Sequence, residues 1–308
     1  MYRICRIATL FAVMGNWLPV PDRGMSRALA AVTTVFSQDF SAGVGDLYLV
    51  DSDIASLTLE SGSPLLGSGP ELRLESTSTA LSAIVGYYSP VTLVNPGDSI
   101  RFTFDAYNFN GGFIDSGFRF GLFNSNGTRI SSNGNFDFLL DSLDDDGLYA
   151  FVDVGSSTIN NSAFLRENDN NTEARLFGGR TFANADNGGL SDPLMFSENT
   201  ATSYGLDLTL QSDSNLDVLL FSDDSGEVPG AEGALFATVL TPPTLTFDTF
   251  YLGGNGDSNS VIDYRFDNLE IASTAVPEPN TLAMAMLATG IALVGRRRKL
   301  RSRSDRFS

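Results

Sequence analysis

The chain has 308 residues, a formal net charge of −18, no histidine and a single cysteine, Cys5. The lack of histidine excludes Ser-His-Asp and Cys-His catalysis and imidazole-bound zinc, and one cysteine cannot form a disulfide within these residues. Between residues 36 and 273 only eight arginines accompany 34 acidic residues, so this part of the chain repels nucleic acid and anionic lipid.

Residues 1–35 are predicted to form an export segment that resembles a signal peptide. Two arginines precede an apolar stretch at residues 7–14, which is the order of the basic and apolar parts of a secretory signal. The predicted neighbourhood of cleavage is "RALAAV" at residues 27–32. An alternative is that translation begins at Met25, which would leave a very short signal.

The body, residues 36–273, is predicted to be a single antiparallel β-sandwich of the jelly-roll type. Apolar and polar residues alternate with a period of two, as in strands with one buried face, and Gly- and Asn-rich stretches predict the turns. The clearest strands are 72–76, 99–109, 118–123 and 204–210, and the predicted turns are 108–112, 124–128, 144–147 and 253–257. The residues expected to share buried faces are Phe102 with Phe104, Phe118 with Phe120 and Leu122, and Leu206 with Leu208 and Leu210.

Four aromatic side chains are candidates for contact with a carbohydrate. Binding of a sugar would need aromatic rings exposed over a polar groove, whereas most tyrosines of a sandwich are half-buried in its core. Both alternatives remain open for Tyr87, Tyr88, Tyr107 and Tyr149.

Two acidic stretches provide candidate ligands for a metal ion. Asp144, Asp145 and Asp146 lie in "DSLDDDG", and Asp257 lies in "GGNGDSNS". Calcium takes about six to eight oxygen ligands, which carboxylates, carbonyls and water supply. A structural calcium is therefore the one cofactor that the sequence suggests, and the alternative is that these residues simply favour turns.

The acidic residues do not form the pattern expected of a glycoside hydrolase. That reaction needs two carboxylates about 5–10 Å apart. The segments "ENDNNTE" (167–173) and "EVPGAE" (227–232) are acidic, but they lie in turn-rich stretches and not on alternating strands. The chain is therefore predicted not to be an enzyme.

The last predicted strand, "VIDYRFDNLEIAS", changes phase. Tyr264 and Phe266 alternate in one phase, and Leu269 and Ile271 continue in the other. One extra residue restores a common face, so a β-bulge is predicted near Asp267-Asn268.

The two ends of the body resemble known strands. The pattern Asp-Asn-Leu-x-Ile at residues 267–271 is similar to the closing strand of concanavalin-like and carbohydrate-binding jelly rolls, and "FSQDFSAG" from Phe36 is similar to their first strand. The resemblance implies a jelly-roll fold and does not define a ligand.

The chain continues with "VPEPNTLAMAMLATGIALVGRRRK". Pro277 and Pro279 keep the linker 274–280 extended. Residues 281–295 carry no charge and, as a helix, span about 22 Å, which is less than the roughly 30 Å hydrocarbon core of a membrane. The basic tail, residues 296–308, stays on the cytoplasmic side because arginine enters lipid at a high free-energy cost.

This ending resembles the PEP-CTERM sorting signal of exported proteins in Gram-negative bacteria. The resemblance implies recognition and cleavage near the Pro-Glu-Pro triplet by exosortase, a membrane protease, with residues 281–295 as a transmembrane helix before processing. The protein would pass through the inner membrane to the cell surface or extracellular matrix. The implied sorting motif is Pro277, Glu278 and Pro279, and the implied membrane stop is Arg296, Arg297, Arg298 and Lys299.

The sequence thus predicts an exported, non-enzymatic protein whose body is a structural component of an exopolysaccharide matrix. The alternatives are a lectin-like carbohydrate-binding protein at the same location and a secreted glycoside hydrolase. The expected partners are exosortase, exopolysaccharide or other glycans, and the membrane before processing, but not nucleic acid.

Overall fold

Every regular element in the described part of the chain is a β-strand, which confirms the all-β prediction. The strands form two antiparallel sheets that pack face to face as a sandwich. A computed structural model describes residues 30–50, 55–61, 69–76, 81–108, 117–134, 145–153, 163–168, 180–185, 201–223, 233–255 and 262–276.

Sheet A contains eight of the described strands, with the order β13-β12-β11-β6-β15-β4-β3 and with β1 also paired to β15. Its strands are β1 (Ala31–Gln38), β3 (Ala55–Ser61), β4 (Pro70–Ser76), β6 (Ser99–Asn108), β11 (Ala201–Leu210), β12 (Leu216–Asp223), β13 (Gly233–Val239) and β15 (Ile262–Ala275).

Sheet B contains seven of the described strands, in the order β10-β9-β8-β7-β14-β5-β2. Its strands are β2 (Leu47–Val50), β5 (Leu81–Thr92), β7 (Gly117–Asn124), β8 (Asp146–Asp153), β9 (Ala163–Asn168), β10 (Arg180–Ala185) and β14 (Thr246–Asn255).

The main core lies between the two sheets and is rich in phenylalanine. All the side chains that the alternating pattern assigned to buried faces are buried in this core. The Phe104 ring of sheet A meets the Phe120 ring of sheet B edge to face, with centroids 4.9 Å apart, and the Phe102 and Phe250 centroids lie 5.0 Å apart. Burying each ring contributes roughly 1.5–3 kcal/mol relative to leaving it exposed.

The predicted bulge in the last strand is confirmed. The pairing of β15 with β6 shifts register between Asp267 and Glu270, and Asn268 has a φ of 52°, a left-handed conformation that asparagine tolerates. Along its other edge β15 pairs with β4 up to Phe266 and with β1 from Leu269 onward. The bulge therefore lies where β15 exchanges one partner strand for another.

One predicted turn is confirmed at residues 124–128. Asn126 and Gly127 have φ values of 49° and 89°, as a type I′ turn requires, and Thr128 N donates a hydrogen bond to Ser125 O at 2.8 Å.

At two other predicted turns, 144–147 and 253–257, the structure assigns described residues to strands, and Asp144 and residues 256–257 lie outside the described part. Asp146 and Gly147 begin β8, and residues 253–255 end β14. A Cβ atom at Gly147 would lie 2.4 Å from the Phe123 ring, and one at Gly253 would lie 2.2 Å from the Ser82 carbonyl oxygen. These glycines permit close packing within a strand instead of a change of chain direction.

The sandwich extends beyond both predicted ends of the body. β1 begins at Ala31, within the predicted export segment 1–35, and this residue pairs with Ala275 at the end of β15. The predicted membrane helix 281–295 and the basic tail 296–308 lie outside the described residues. Within the described ranges, no helix has the length and hydropathy to cross a membrane.

Candidate functional site

The outer face of sheet B carries a second apolar cluster, apart from the main core. Its members alternate along the strands with main-core residues such as Ile84, Leu148 and Phe250, so they point to the opposite side of the sheet. The cluster consists of Val50, Ala83, Val85, Phe123, Tyr149 and Tyr251, with Tyr48, Tyr87 and Ile130 packed against it.

Glycines beneath the aromatic rings explain how the cluster residue Tyr149 and the nearby Phe151 fit on the outer face of sheet B. A Cβ atom at Gly117 would lie 2.0 Å from the Phe151 ring, and one at Gly121 would lie 2.5 Å from both the Tyr149 Cβ and the Leu148 carbonyl oxygen. Without side chains at these positions, the rings of the neighbouring strand lie against the sheet.

Three residues at one side of this face form what we call the arginine patch: Arg119, Phe151 and Arg166. The guanidinium carbon of Arg119 lies 5.0 Å from the centroid of the Phe151 ring, and that of Arg166 lies 5.5 Å from it. Arg119 and Phe151 are directly opposite each other on β7 and β8. Both contacts have the geometry of cation–π interactions, so one ring supports two cations.

Arg119 differs from most arginines of the sandwich because no carboxylate neutralises it among the described residues. Its Nε atom is buried and has no hydrogen-bond partner there. Burial lowers the pKa of Arg119, Tyr149 acts in the opposite direction, and the positive charge of Arg166 lowers it further. Arginine nevertheless remains a cation at neutral pH, so this side chain offers a positive charge to a ligand.

At the other side of the face, Tyr48, Tyr87 and Arg129 form what we call the tyrosine patch. The two tyrosine centroids lie 6.2 Å apart, and the guanidinium carbon of Arg129 lies 5.0 Å from the centroid of Tyr87. The Ile130 amide donates to Tyr87 Oη at 3.0 Å. Burial raises the pKa of Tyr87 to about 12, so its hydroxyl stays protonated near neutral pH.

Asp248 fixes the tyrosine patch in place. Its carboxylate accepts hydrogen bonds from Arg129 at 2.6 Å and from the amide and the hydroxyl of Ser125, each at 2.8 Å. Burial opposes ionisation of Asp248, but these donors outweigh it and the net effect lowers its pKa. The segment that contains Arg129 is thereby tied to β14.

The predicted tyrosines divide between the face and the interior. Tyr87 and Tyr149 belong to the outer face of sheet B. Tyr88 lies in the main core and Tyr107 is also buried, each only 5% exposed. Arg119, Phe151 and Arg166 are not among the residues predicted from the sequence. In the sequence, the signal that could have identified them is an aromatic or arginine residue at the strand positions that alternate with the buried ones, where a small polar residue would be expected.

The predicted calcium ligands are in part engaged with protein groups. Asp145 is buried and its Oδ2 accepts a hydrogen bond from Tyr251 Oη at 2.6 Å. Asp146 begins β8 and accepts from Asn126 Nδ2 at 3.2 Å. Asp144 and Asp257 lie outside the described residues. In the portion of the chain that the structure describes, no three His, Cys, Asp or Glu side chains are grouped to hold a metal ion.

A second notable site lies where the described chain leaves the sandwich. Asp98 Oδ1 accepts a hydrogen bond from the Val276 amide at 2.7 Å, and its Oδ2 accepts from the amides of Val94 and Asn95 at 3.0 and 2.8 Å. Burial opposes ionisation, but the three amides outweigh it, and the pKa of Asp98 is lowered. We call the bond between the Asp98 carboxylate and the Val276 amide the exit latch.

Residues 275–299 match the family model of the PEP-CTERM protein-sorting motif. The chain carries a PEP-CTERM sorting motif. This motif indicates an exported protein that exosortase processes at the membrane, as the sequence analysis inferred. Pro277, Glu278 and Pro279, and the basic residues 296–299, lie within the matched range but outside the described residues, so their individual roles stay predictions.

Besides the PEP-CTERM match, the chain is similar in structure to several solved carbohydrate-related proteins of low sequence identity. Lectin II from Ulex europaeus has 10% identity and a TM-score of 0.44, with 81% of this chain and 100% of that chain covered. The PL-14 alginate lyase from Aplysia kurodai has 15% identity and a TM-score of 0.47, with coverages of 80% and 100%. The endo-β-1,4-glucuronan lyase from Trichoderma reesei has 11% identity and a TM-score of 0.48, with coverages of 78% and 95%.

Lectins and a lectin-like protein are thus among these structures, in line with the resemblance of the first and last strands to concanavalin-like and carbohydrate-binding jelly rolls. At such identities and TM-scores, nothing about a ligand or a reaction is carried over to this chain. No curated protein matches the chain in sequence.

Proposed function

We propose that this exported protein binds an acidic polysaccharide through the outer face of sheet B, without cleaving it. Binding of this kind would make it a structural component of a polysaccharide matrix at the cell surface or beyond it. The observation that carries the proposal is Arg119, a cation on an aromatic ring with no neutralising carboxylate among the described residues.

Aromatic rings on this face supply the apolar part of the recognition. The C–H faces of a sugar ring pack well against an aromatic side chain, and tyrosine adds a hydroxyl that hydrogen-bonds to sugar oxygens. Tyr48, Tyr87 and Phe151 are each half-buried, so part of each side chain remains accessible to a ligand.

The arginines supply the preference for an acidic sugar. A guanidinium group binds a carboxylate with two parallel hydrogen bonds, which neutral hexoses cannot offer. Because the chain as a whole carries a net charge of −18, long-range electrostatics disfavour a polyanion. Attraction must therefore come from the local arginine patch.

Sheet A provides a matched control for this proposal. Its outer face also has an arginine near a phenylalanine, since the Arg101 guanidinium carbon lies 5.7 Å from the Phe221 centroid. Arg101, however, forms a salt bridge with Asp207. The two arginines thus differ in whether a carboxylate already neutralises them.

The test is calorimetric titration of the full chain with a uronate-containing polysaccharide and with a neutral glucan of similar length. The uronate polymer should bind, and Arg119→Gln should weaken binding by about tenfold, the loss of one charge-assisted pair, whereas Arg101→Gln should bind as the wild type does. Thermal unfolding of both variants serves as the folding control.

The other functions make different predictions in the same experiment. Equal binding of both polymers would contradict the role of the arginine patch. Absence of binding to either polymer would favour a structural role without carbohydrate recognition. New reducing ends or unsaturated products during incubation would show that the protein is an enzyme.

A further inference from the structure

The last described residues belong to the sandwich and to the sorting motif at the same time. The motif match begins at residue 275, and Ala275 pairs with Ala31 on β1. Along the other edge, β15 pairs with β6 as far as Thr274. The chain is therefore paired on both sides as far as Thr274 and on one side at Ala275, the residue before the exit latch.

The exit latch extends this hold to Val276. Its amide donates to Asp98 at 2.7 Å, and the same carboxylate is fixed by two amides of its own loop. Gly97 has a φ of 93°, and a Cβ there would lie 3.0 Å from a methyl group of Val276. A glycine with this backbone conformation lets the loop approach the exiting chain closely.

This arrangement conflicts with what a protease needs. Proteases bind several consecutive substrate residues in an extended conformation, and residues paired on both edges of a sheet cannot enter such a cleft. Cleavage next to a folded element then requires local opening, and its rate follows the population of the opened form. Thr274 is paired on both edges, Ala275 pairs with Ala31, and Val276 is held by the exit latch, so the residues that immediately precede Pro277 have to be released first.

We propose that Asp98 is a positioning residue for sorting, whose exit latch restricts access of exosortase to the Pro-Glu-Pro site. Processing then depends on release of the last residues of β15 from the sandwich. The inference rests on the sorting motif and is independent of the proposed polysaccharide binding.

The proposal is tested by pulse-chase measurement of processing of the full chain in a host that contains an exosortase. Asp98→Asn leaves one neutral acceptor oxygen where the carboxylate has two, so it cannot accept from both the Val276 amide and the loop amides of Val94 and Asn95, and the latch weakens. We expect processing about tenfold faster than in the wild type, as the loss of one charge-assisted hydrogen bond predicts. Asp263→Asn is the matched control, because Asp263 lies at the opposite end of β15 and accepts hydrogen bonds from Arg73.

A second variant tests access without disturbing the fold. Insertion of six Gly/Ser residues between Val276 and Pro277 gives the protease an extended segment while the latch stays intact. Processing should accelerate as in Asp98→Asn, and the combination of both changes should add nothing further.

Any of four results would overturn the proposal. These are a wild-type rate in Asp98→Asn, equal acceleration in Asp263→Asn, no effect of the insertion, or full additivity of the insertion and Asp98→Asn. The insertion result decides the matter even if Asp98→Asn folds poorly.

Discussion

The outer faces of the two sheets carry the same types of residue, but their arginines have different partners. Each has a phenylalanine ring over a glycine and an arginine near that ring: Gly205, Phe221 and Arg101 on sheet A, and Gly117, Phe151 and Arg119 on sheet B. The packing solution is thus common to both sheets.

The difference lies in the acidic residues. On sheet A, Arg101 pairs with Asp207, Arg73 pairs with Asp263 and two glutamates, and Arg265 lies 3.7 Å from Glu71. On sheet B, Asp248 pairs with Arg129, but Arg119 has no such partner among the described residues and lies against the Phe151 ring instead. An arginine that is already paired with a carboxylate is less available to a ligand, so the part of sheet B around Arg119 is the better candidate for binding.

The largest effect on stability is expected from adding a side chain at Gly121 on the outer face of sheet B. In Gly121→Ala the new Cβ would lie 2.5 Å from the Leu148 carbonyl oxygen, so the backbone of β8 must move. We expect a loss of about 3 kcal/mol in the free energy of unfolding, measured by urea denaturation. Gly69→Ala is the control, because nothing lies within 4 Å of its Cβ position; an equal loss there would contradict the explanation.

The next largest effect on stability is expected from replacing Asp248, which fixes the tyrosine patch. Because the folded-state pKa of Asp248 is lowered, its contribution to stability is present above the unfolded pKa of about 3.9 and is lost as the pH falls through the folded value. Asp248→Asn should reduce the free energy of unfolding by about 1.5 kcal/mol at pH 7. The deficit should narrow below pH 4 in urea titrations, and a deficit independent of pH would refute this assignment.

Replacing Asp267 on sheet A should change the free energy of unfolding in the opposite direction from Asp248→Asn, and by a smaller amount. Burial raises its pKa, and the charges of Asp105, directly opposite on β6, and of Asp39 raise it further, against a hydrogen bond from the Asn268 amide. Its stability contribution is present below the unfolded pKa and is lost as the pH rises through the folded value. Asp267→Asn should therefore stabilise the protein by about 0.2–1 kcal/mol at pH 7 and have little effect at pH 3. Destabilisation at pH 7 would show that the carboxylate is needed.

The smallest effect on stability is expected from Asp207→Asn, which removes the neutralising partner of Arg101. The pair is partly exposed, so its loss should cost at most about 0.5 kcal/mol. Sheet A would then carry an arginine and a phenylalanine without a paired acid, as sheet B does. We expect measurable extra binding of a uronate polymer by this variant, and no gain would mean that Tyr48 and Tyr87 are also required.

Local patterns were sufficient to predict much of the fold. The period of two assigned Phe102, Phe104 and Phe118 to the core, because a strand of a sandwich has one buried face and one solvent-exposed face. The phase change at residues 267–268 located the bulge for the same reason. Each of these predictions depends only on neighbours along one strand.

The predictions that failed, and the residues that were missed, depend on partners far away in the sequence. Gly147 was assigned to a turn because the sequence alone does not show that it lies opposite Phe123. Only the pairing of β7 with β8 brings the two residues together. Arg119 and Arg166 become a patch only through the Phe151 ring between them. Asp98 and Val276 are separated by 178 positions, so no local pattern could join them.

The position of β15 also sets the order of events during secretion. β15 pairs with β6 on one edge and with β4 and β1 on the other, so sheet A stays divided until this strand arrives. A chain that crosses the membrane from its amino end delivers β15 last among the described strands, and such distant pairing is slow to form. Translocation of the residues just ahead of the Pro-Glu-Pro triplet is therefore the step that allows sheet A to close, which couples the end of secretion to the completion of folding.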